Sequence, residues 1–146
     1  MTISIDSAAS ERSASECNGA QVRAQYRHLA TVVTVSGAID LENIDQVSRY
    51  SRRFIMQDKP FVLDLRYVEY FAAQSVTFLQ QIDEDCRMAG LEWALVVSPM
   101  VRRVLRIIDE ETTFPVAASV HAALHTFADD ISARRRLLLP LLSKTA

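Results

Sequence analysis

Glycine is scarce: Gly19, Gly37 and Gly90 are the only three in 146 residues. A loop that cradles phosphate needs closely spaced glycines so that the backbone can approach the ligand, and no such cluster can be assembled here. That excludes P-loop ATPases, kinases and Rossmann-type dinucleotide enzymes. Cysteine is scarcer still. Cys17 and Cys86 are too few and too far apart for a disulfide framework or a zinc knuckle, so a reduced, cytoplasmic setting is expected. Basic residues are short over most of the chain. Four of the 16 lie in 132–146 (Arg134, Arg135, Arg136 and Lys144), which leaves 12 against 18 acids and a charge of −6 over residues 1–131. A body of that sign lacks the clustered Lys and Arg that duplex DNA demands. The first 19 residues have neither a basic start nor an apolar core, so they do not form a secretory signal. They read as a disordered Ser/Ala-rich leader.

What is present is globular. Apolar residues make up 49% and charged residues 23%, and a single domain of this length buries about two-thirds of its unfolded surface. The spacing predicts a short strand over 22–27 and a buried β-branched strand over 31–35, TVVTV, ended by Gly37. Leu41, Ile44, Val47, Phe54 and Ile55 fall near helical spacing and predict a helix of about four turns, with Asp45 and Arg49 as an i,i+4 pair on its wet side. FVLDL at 61–65 predicts a central strand. Val76, Leu79, Ile82, Cys86 and Ala89 predict a helix capped at Gly90, and WALVV at 93–97 another strand. Ser98-Pro99 is an N-cap followed by proline at the first helical position, ahead of a Val101, Val104, Leu105, Ile108 face with Arg102, Arg103 and Arg106 outside. A short strand over 114–117 and an N-cap at Ser119 precede a last face of Val120, Ala123, Leu124, Phe127 and Ile131.

The order is β-β-α-β-α-β-α-β-α. Alternating strands and helices imply a mixed, mostly parallel sheet with about four helices, and the opening pair adds an antiparallel edge. The expected organisation is a leader over 1–19, one α/β domain over 20–131 and a basic, leucine-rich tail over 132–146. Pro140 interrupts the tail's apolar run, which is far below the roughly 20 residues of a membrane span. An extension of the last helix is the favoured reading.

Few residues suggest chemistry. Asp64 sits where receiver domains carry a phospho-accepting aspartate, but the second acidic pair that would hold Mg²⁺ is missing, so a hydrogen-bonded acid at a strand end is expected. His121, His125 and Asp129 stack at i, i+4, i+8, yet Ala122 follows His121 where a metalloprotease motif needs Glu. A solvated face is expected there, with no metal and no cofactor. His28 has no obvious partner, and no Ser/His/Asp or Cys/His arrangement is readable. The protein is expected not to be an enzyme.

Four further pieces occur in a fixed order: Gly37-Ala38-Ile39-Asp40, the strand Val62 to Leu65, the stretch 68–76, and Ser98-Pro99 with Val101, Arg103 and Leu105. In this order they resemble the STAS family of sulfate-transporter and anti-sigma-factor-antagonist domains, over about residues 20–131. The resemblance implies a STAS-like fold and a bacterial regulator of transcription that works by protein–protein contact. Its implied partner is an anti-sigma factor with a kinase-like ATP-binding fold, met by Asp40 and by Ala72, Ala73, Gln74, Ser75 and Val76. The family's D-S-S-G-L helix start falls on Ala72 to Val76, which puts Ala73 at the phosphorylatable serine and Ala72 at the preceding aspartate. The implied phosphorylation switch is therefore missing. Ser75 would be turned about 200° around a helix from the family position, and it reads as an N-cap. Other family roles, a subunit docked on the ATPase of an ABC transporter or a dimeric scaffold in a sensory assembly, stand beside the first.

Overall fold

Five strands, four of them drawn from the predicted apolar runs, form one sheet in a computed structural model that describes the backbone of residues 12–145 and the side chains of 14–138. The strands are β1 (Arg12–Cys17), β2 (Ala20–Tyr26), β3 (Thr31–Ile39), β4 (Phe61–Phe71) and β5 (Trp93–Val97). They lie side by side in chain order; β1, β2 and β3 pair antiparallel, while β3, β4 and β5 pair parallel. Each parallel step needs a crossover. These are α1 (Ile44–Arg52) and α2 (Val76–Ala89), and after β5 come α3 (Pro99–Ile107) and α4 (Val120–Thr145).

The period-two alternation of the strands sorts the two faces of the sheet. Val33, Leu63, Leu65 and Leu95 point to one side and are covered by Val47 of α1, Phe78, Leu79 and Ile82 of α2, and Val101 and Leu105 of α3. Their neighbours Val32, Val62, Ala94 and Val96 point to the other side, where Val120, Ala123 and Phe127 of α4 meet them. The last predicted helix face is the one that packs. α4 covers only part of its side, and beyond it Gln21, Arg23, Thr34, Ser36, Tyr67 and Glu69 line an open hollow of about 510 Å³.

Several expectations need correction. Residues 12–17, assigned to a disordered leader, form β1 and bury Cys17 completely. The reason is the two-residue connection Asn18-Gly19, with φ of +47° and +105°, the chemistry of a tight hairpin turn whose twist suits two antiparallel strands. The rest of that leader, residues 1–11, lies outside the described residues. β4 does not stop at Leu65 but runs to Phe71, because register shifts opposite Thr34/Ser36 and Gly37/Ala38 let the pairing with β3 continue. Asp64 is therefore mid-strand. α1 is shorter than expected and begins at Ile44, with Phe54 still buried just past its end. The 114–117 strand reduces to a single bridge, Leu95 to Val116. The 132–146 segment, by contrast, extends the last helix as the favoured reading had it: α4 continues through it to Thr145. No helix among the described residues is long and apolar enough to cross a membrane.

Gly37 has a tertiary reason. Its φ is +92°, and a Cβ there would lie 2.5 Å from the Gly19 carbonyl oxygen, which already accepts a hydrogen bond from Ala38 N at 3.0 Å. Gly37→Ala should therefore cost more than the roughly 1–3 kcal/mol of a strained left-handed residue, measured as a lower urea midpoint with unchanged slope.

Cys86 is fully enclosed. Burial, with Asp85 and Asp83 adding negative charge, pushes its thiol up from 9.0 to about 12. In the unfolded chain the thiol loses its proton near pH 9 while the folded one keeps it, so stability falls as pH rises from about 9 to about 12. At about 1.4 kcal/mol per pH unit the loss approaches about 4 kcal/mol. Cys86→Ala should flatten that part of the stability–pH curve, as followed by urea unfolding at stepped alkaline pH.

Candidate partner-binding surface

Two turns leave the same end of two adjacent parallel strands. Ile39 closes β3 opposite Phe71, which closes β4, and Ala72 N donates to the Ile39 carbonyl at 2.9 Å. The fold thus brings the Asp40 turn and residues 72–76 together, although some thirty residues of chain separate them.

The first turn is held from inside. Asp40 Oδ1 accepts from Glu42 N at 2.9 Å and Asn43 N at 3.1 Å, while Asn43 Oδ1 accepts from Asp40 N at 3.0 Å. This is the reciprocal logic of a capping box, with asparagine in the third position after the cap. Asn43 is fully buried, and its Nδ2 donates to Ala38 O at 2.8 Å and Asn18 O at 3.1 Å. The sequence reading missed Asn43; the spacing D-x-x-N ahead of an apolar helix is the signal that marks it. Asp40 itself is half-buried and committed to its own backbone. The side chains this turn directs outward are Leu41, 62% exposed, and Glu42.

The second turn is a 3₁₀ turn, Ala73–Ser75, that leads straight into α2. Ala72 and Ser75 face inward, Val76 is half-buried, and Ala73 and Gln74 form the exposed tip. Ser75 does not cap the helix as expected. It already has helical φ and ψ, its side chain makes no cap bond, and its enclosed hydroxyl has no hydrogen-bond partner. A cap needs an extended backbone to bring its oxygen over the following N–H groups, and here the extended residue is Ala72. Tyr70, 52% exposed at the end of β4, adjoins this tip in the chain. No basic residue occurs over 40–48 or 69–86, so the two turns and the starts of both helices carry only acidic, neutral and apolar side chains.

The other residues with chemical promise lie elsewhere and have local partners. Asp64 is buried in β4, where Oδ1 accepts from Arg66 N at 3.1 Å and both oxygens accept from the Arg66 guanidinium at 3.1–3.3 Å. Those bonds hold the Arg66 guanidinium above its ordinary pKa. Arg66 also lies 5.0 Å from the Tyr67 ring centre. His125 and Asp129 are both about 70% exposed and 3.6 Å apart, and among the described residues no three His, Cys, Asp or Glu converge on a metal site. Ser98 does cap α3 as the sequence predicts: its Oγ accepts from Val101 N at 3.2 Å and donates to the Val68 carbonyl at 2.8 Å. Ser119 does the same for α4 through Ala122 N.

Residues 20–123 match the profile of the STAS domain. The chain is 48% identical over 132 residues to Osmosensory protein A of Mycobacterium tuberculosis, covering 88% of this chain and 84% of that one. Among solved structures, an anti-sigma factor antagonist from Mycobacterium paratuberculosis superposes with a TM-score of 0.65 at 21% identity, covering 78% of this chain and 98% of its own. An anti-sigma-factor antagonist (STAS) domain protein from Planctomyces limnophilus gives 0.61 at 19% identity, over 73% and 97%. At those identities the two structures speak for the fold.

Removing the Asn43 carboxamide strands the Asn18 and Ala38 carbonyls and the Asp40 amide, all of them held by part-buried bonds. Asn43→Ala should cost about 2–4 kcal/mol in urea unfolding, against less than about 0.5 kcal/mol for the exposed change Leu41→Ser.

Proposed function

Because the chain belongs to the STAS domain family, we propose that it is a non-catalytic protein-interaction module, a cytoplasmic regulator of transcription that acts on an anti-sigma factor as antagonists do. The observation that carries this reading is the junction of the Asp40 turn with residues 72–76 at one end of the sheet, with Leu41, Tyr70, Ala73 and Gln74 or their neighbours turned outward around it. Fold neighbours that are anti-sigma factor antagonists support it. A surface without a single basic residue calls for a partner patch that is basic and apolar.

The switch is the second part of the proposal. A phosphoserine brings about −1.5 to −2 charges and breaks a docked complex by repulsion and desolvation. Ala73, at the position the family phosphorylates, is exposed but has no hydroxyl, and Ser75 has a hydroxyl but is fully enclosed. Binding is then controlled by the amount or state of the partner, and the relative named as an osmosensory protein points to osmotic stress as the input.

The test uses the anti-sigma factors of the host, each expressed singly and titrated against immobilised protein. One should bind, with affinity unchanged by a kinase and ATP, and Tyr70→Asp or Leu41→Asp should weaken it at least about tenfold, some 1.4 kcal/mol. Ala72→Asp with Ala73→Ser rebuilds the acceptor and should take up phosphate and lose binding. Undiminished binding by both surface variants, or phosphate mapped to Ser75 of the wild type with loss of binding, would overturn the proposal.

A further inference from the structure

The end of α4 is leucine-rich, yet its described side chains stay exposed. At 26 residues the helix is about 39 Å long. Its inward seam runs Val120, Ala123, Phe127, Ile131 at intervals of three and four, and the next positions in that series are Arg134 and Leu138. The first three are buried against the sheet, whereas every residue from Ser132 to Leu138 is exposed, Leu137 at 74% and Leu138 at 56%. The sequence stays leucine-rich to 142 and has no acid after Asp130.

The same molecule carries a cleft of opposite character. Between the outer edge of β5, the 112–118 segment and α4 lies a hollow of about 750 Å³, with Trp93, Phe114 and Phe127 among its apolar walls and Asp83, Glu92 and Asp130 among its polar ones. No lining residue is basic. Arg134 reaches Glu92 at 3.1 Å, so the helix leaves the domain at the border of this cleft.

We propose that the exposed end of α4 is a docking arm for a second copy of this chain: the Arg135–Leu138 stretch of each copy enters the acidic, apolar cleft of the other in a two-fold dimer. The charges complement each other: Arg134 already holds Glu92 of its own copy, which leaves Arg135 and Arg136 to face Asp83 and Asp130 of the other. Leu137 and Leu138, exposed on a single copy, gain cover. Because arm and cleft border each other, one two-fold axis satisfies both contacts and the assembly closes instead of growing into a fibre. Ala128, Ile131 and Arg135 lie among His28, Leu29 and residues 58–60, the loops that precede β3 and β4. The arm therefore projects from the end of the sheet opposite the Asp40 turn. The dimer leaves both partner-binding surfaces open, and it stands or falls independently of the anti-sigma reading.

Sedimentation velocity on the full chain tests it. Wild type should sediment as a dimer at about 10–100 µM. Leu137→Asp with Leu138→Asp disables the arm, and Thr126→Arg places bulk and positive charge in the cleft; both alter exposed side chains, so thermal melts should match those of monomeric protein while the dimer constant rises at least about tenfold. Mixing the two variants should restore a heterodimer, because one arm and one cleft remain intact between them. A monomeric wild type at about 100 µM, a dimer indifferent to Thr126→Arg, or a mixture that stays monomeric would each overturn the proposal. So would a monomeric wild type whose leucines bind phosphatidylglycerol vesicles instead.

Discussion

The fully buried carboxamide of Asn43 ties together three stretches of chain. It takes the carbonyls of Asn18 in the β1–β2 hairpin and Ala38 near the end of β3, and it fixes the amide of Asp40 as the chain turns toward α1. A buried amide of this kind is costly unless all its bonds are made and specific once they are. Here they are made, and the backbone geometry around it follows. The hairpin must come close enough for Gly19 O to meet Ala38 N, which is why Gly37 has no room for a side chain. The candidate surface is therefore a consequence of core packing at the sheet's end, and its first turn is hydrogen-bonded to the core beneath it.

The second turn depends on the same junction from the other side. Ala72 N bonds to Ile39 O, so the entry into α2 is anchored to the strand that supplies the Asp40 turn. The arrangement presents shape and an absence of positive charge rather than reactive groups. The ionisable groups that do look reactive are locally satisfied: Asp64 holds Arg66, and the Cys86 thiol is deprived of ionisation by burial. That pattern fits a recognition module, whose affinity comes from a few well-placed exposed side chains on a fixed scaffold.

The sheet also divides labour between its faces. Three helices close one face, and the first half of a single long helix covers part of the other. That helix leaves over a polar hollow above β2–β4 and an exposed basic end.

The sequence by itself determined four of the five strands and the four helix faces, because a period of two or 3.6 in apolar residues reports directly on which side of an element is dry. It marked Ser98 and Ser119 as caps, since their hydroxyls act on backbone only three residues away. The Asn18-Gly19 hairpin was equally local and legible in principle, but β1 is small and polar, RSASEC, and shows no alternation to announce it. Other features had no local signature. Whether Ser75 caps α2 depends on a backbone angle set by the bond from Ala72 to Ile39. Asp40 turned out to serve its own turn, with Leu41 and Tyr70 carrying the outward face. The meeting of Gly19 with Gly37, and of Asn43 with two distant carbonyls, exists only once the strands lie side by side. Local spacing decides what a segment becomes; only the tertiary structure decides which side chains remain for a partner, because contacts across the sheet commit some of them inward first.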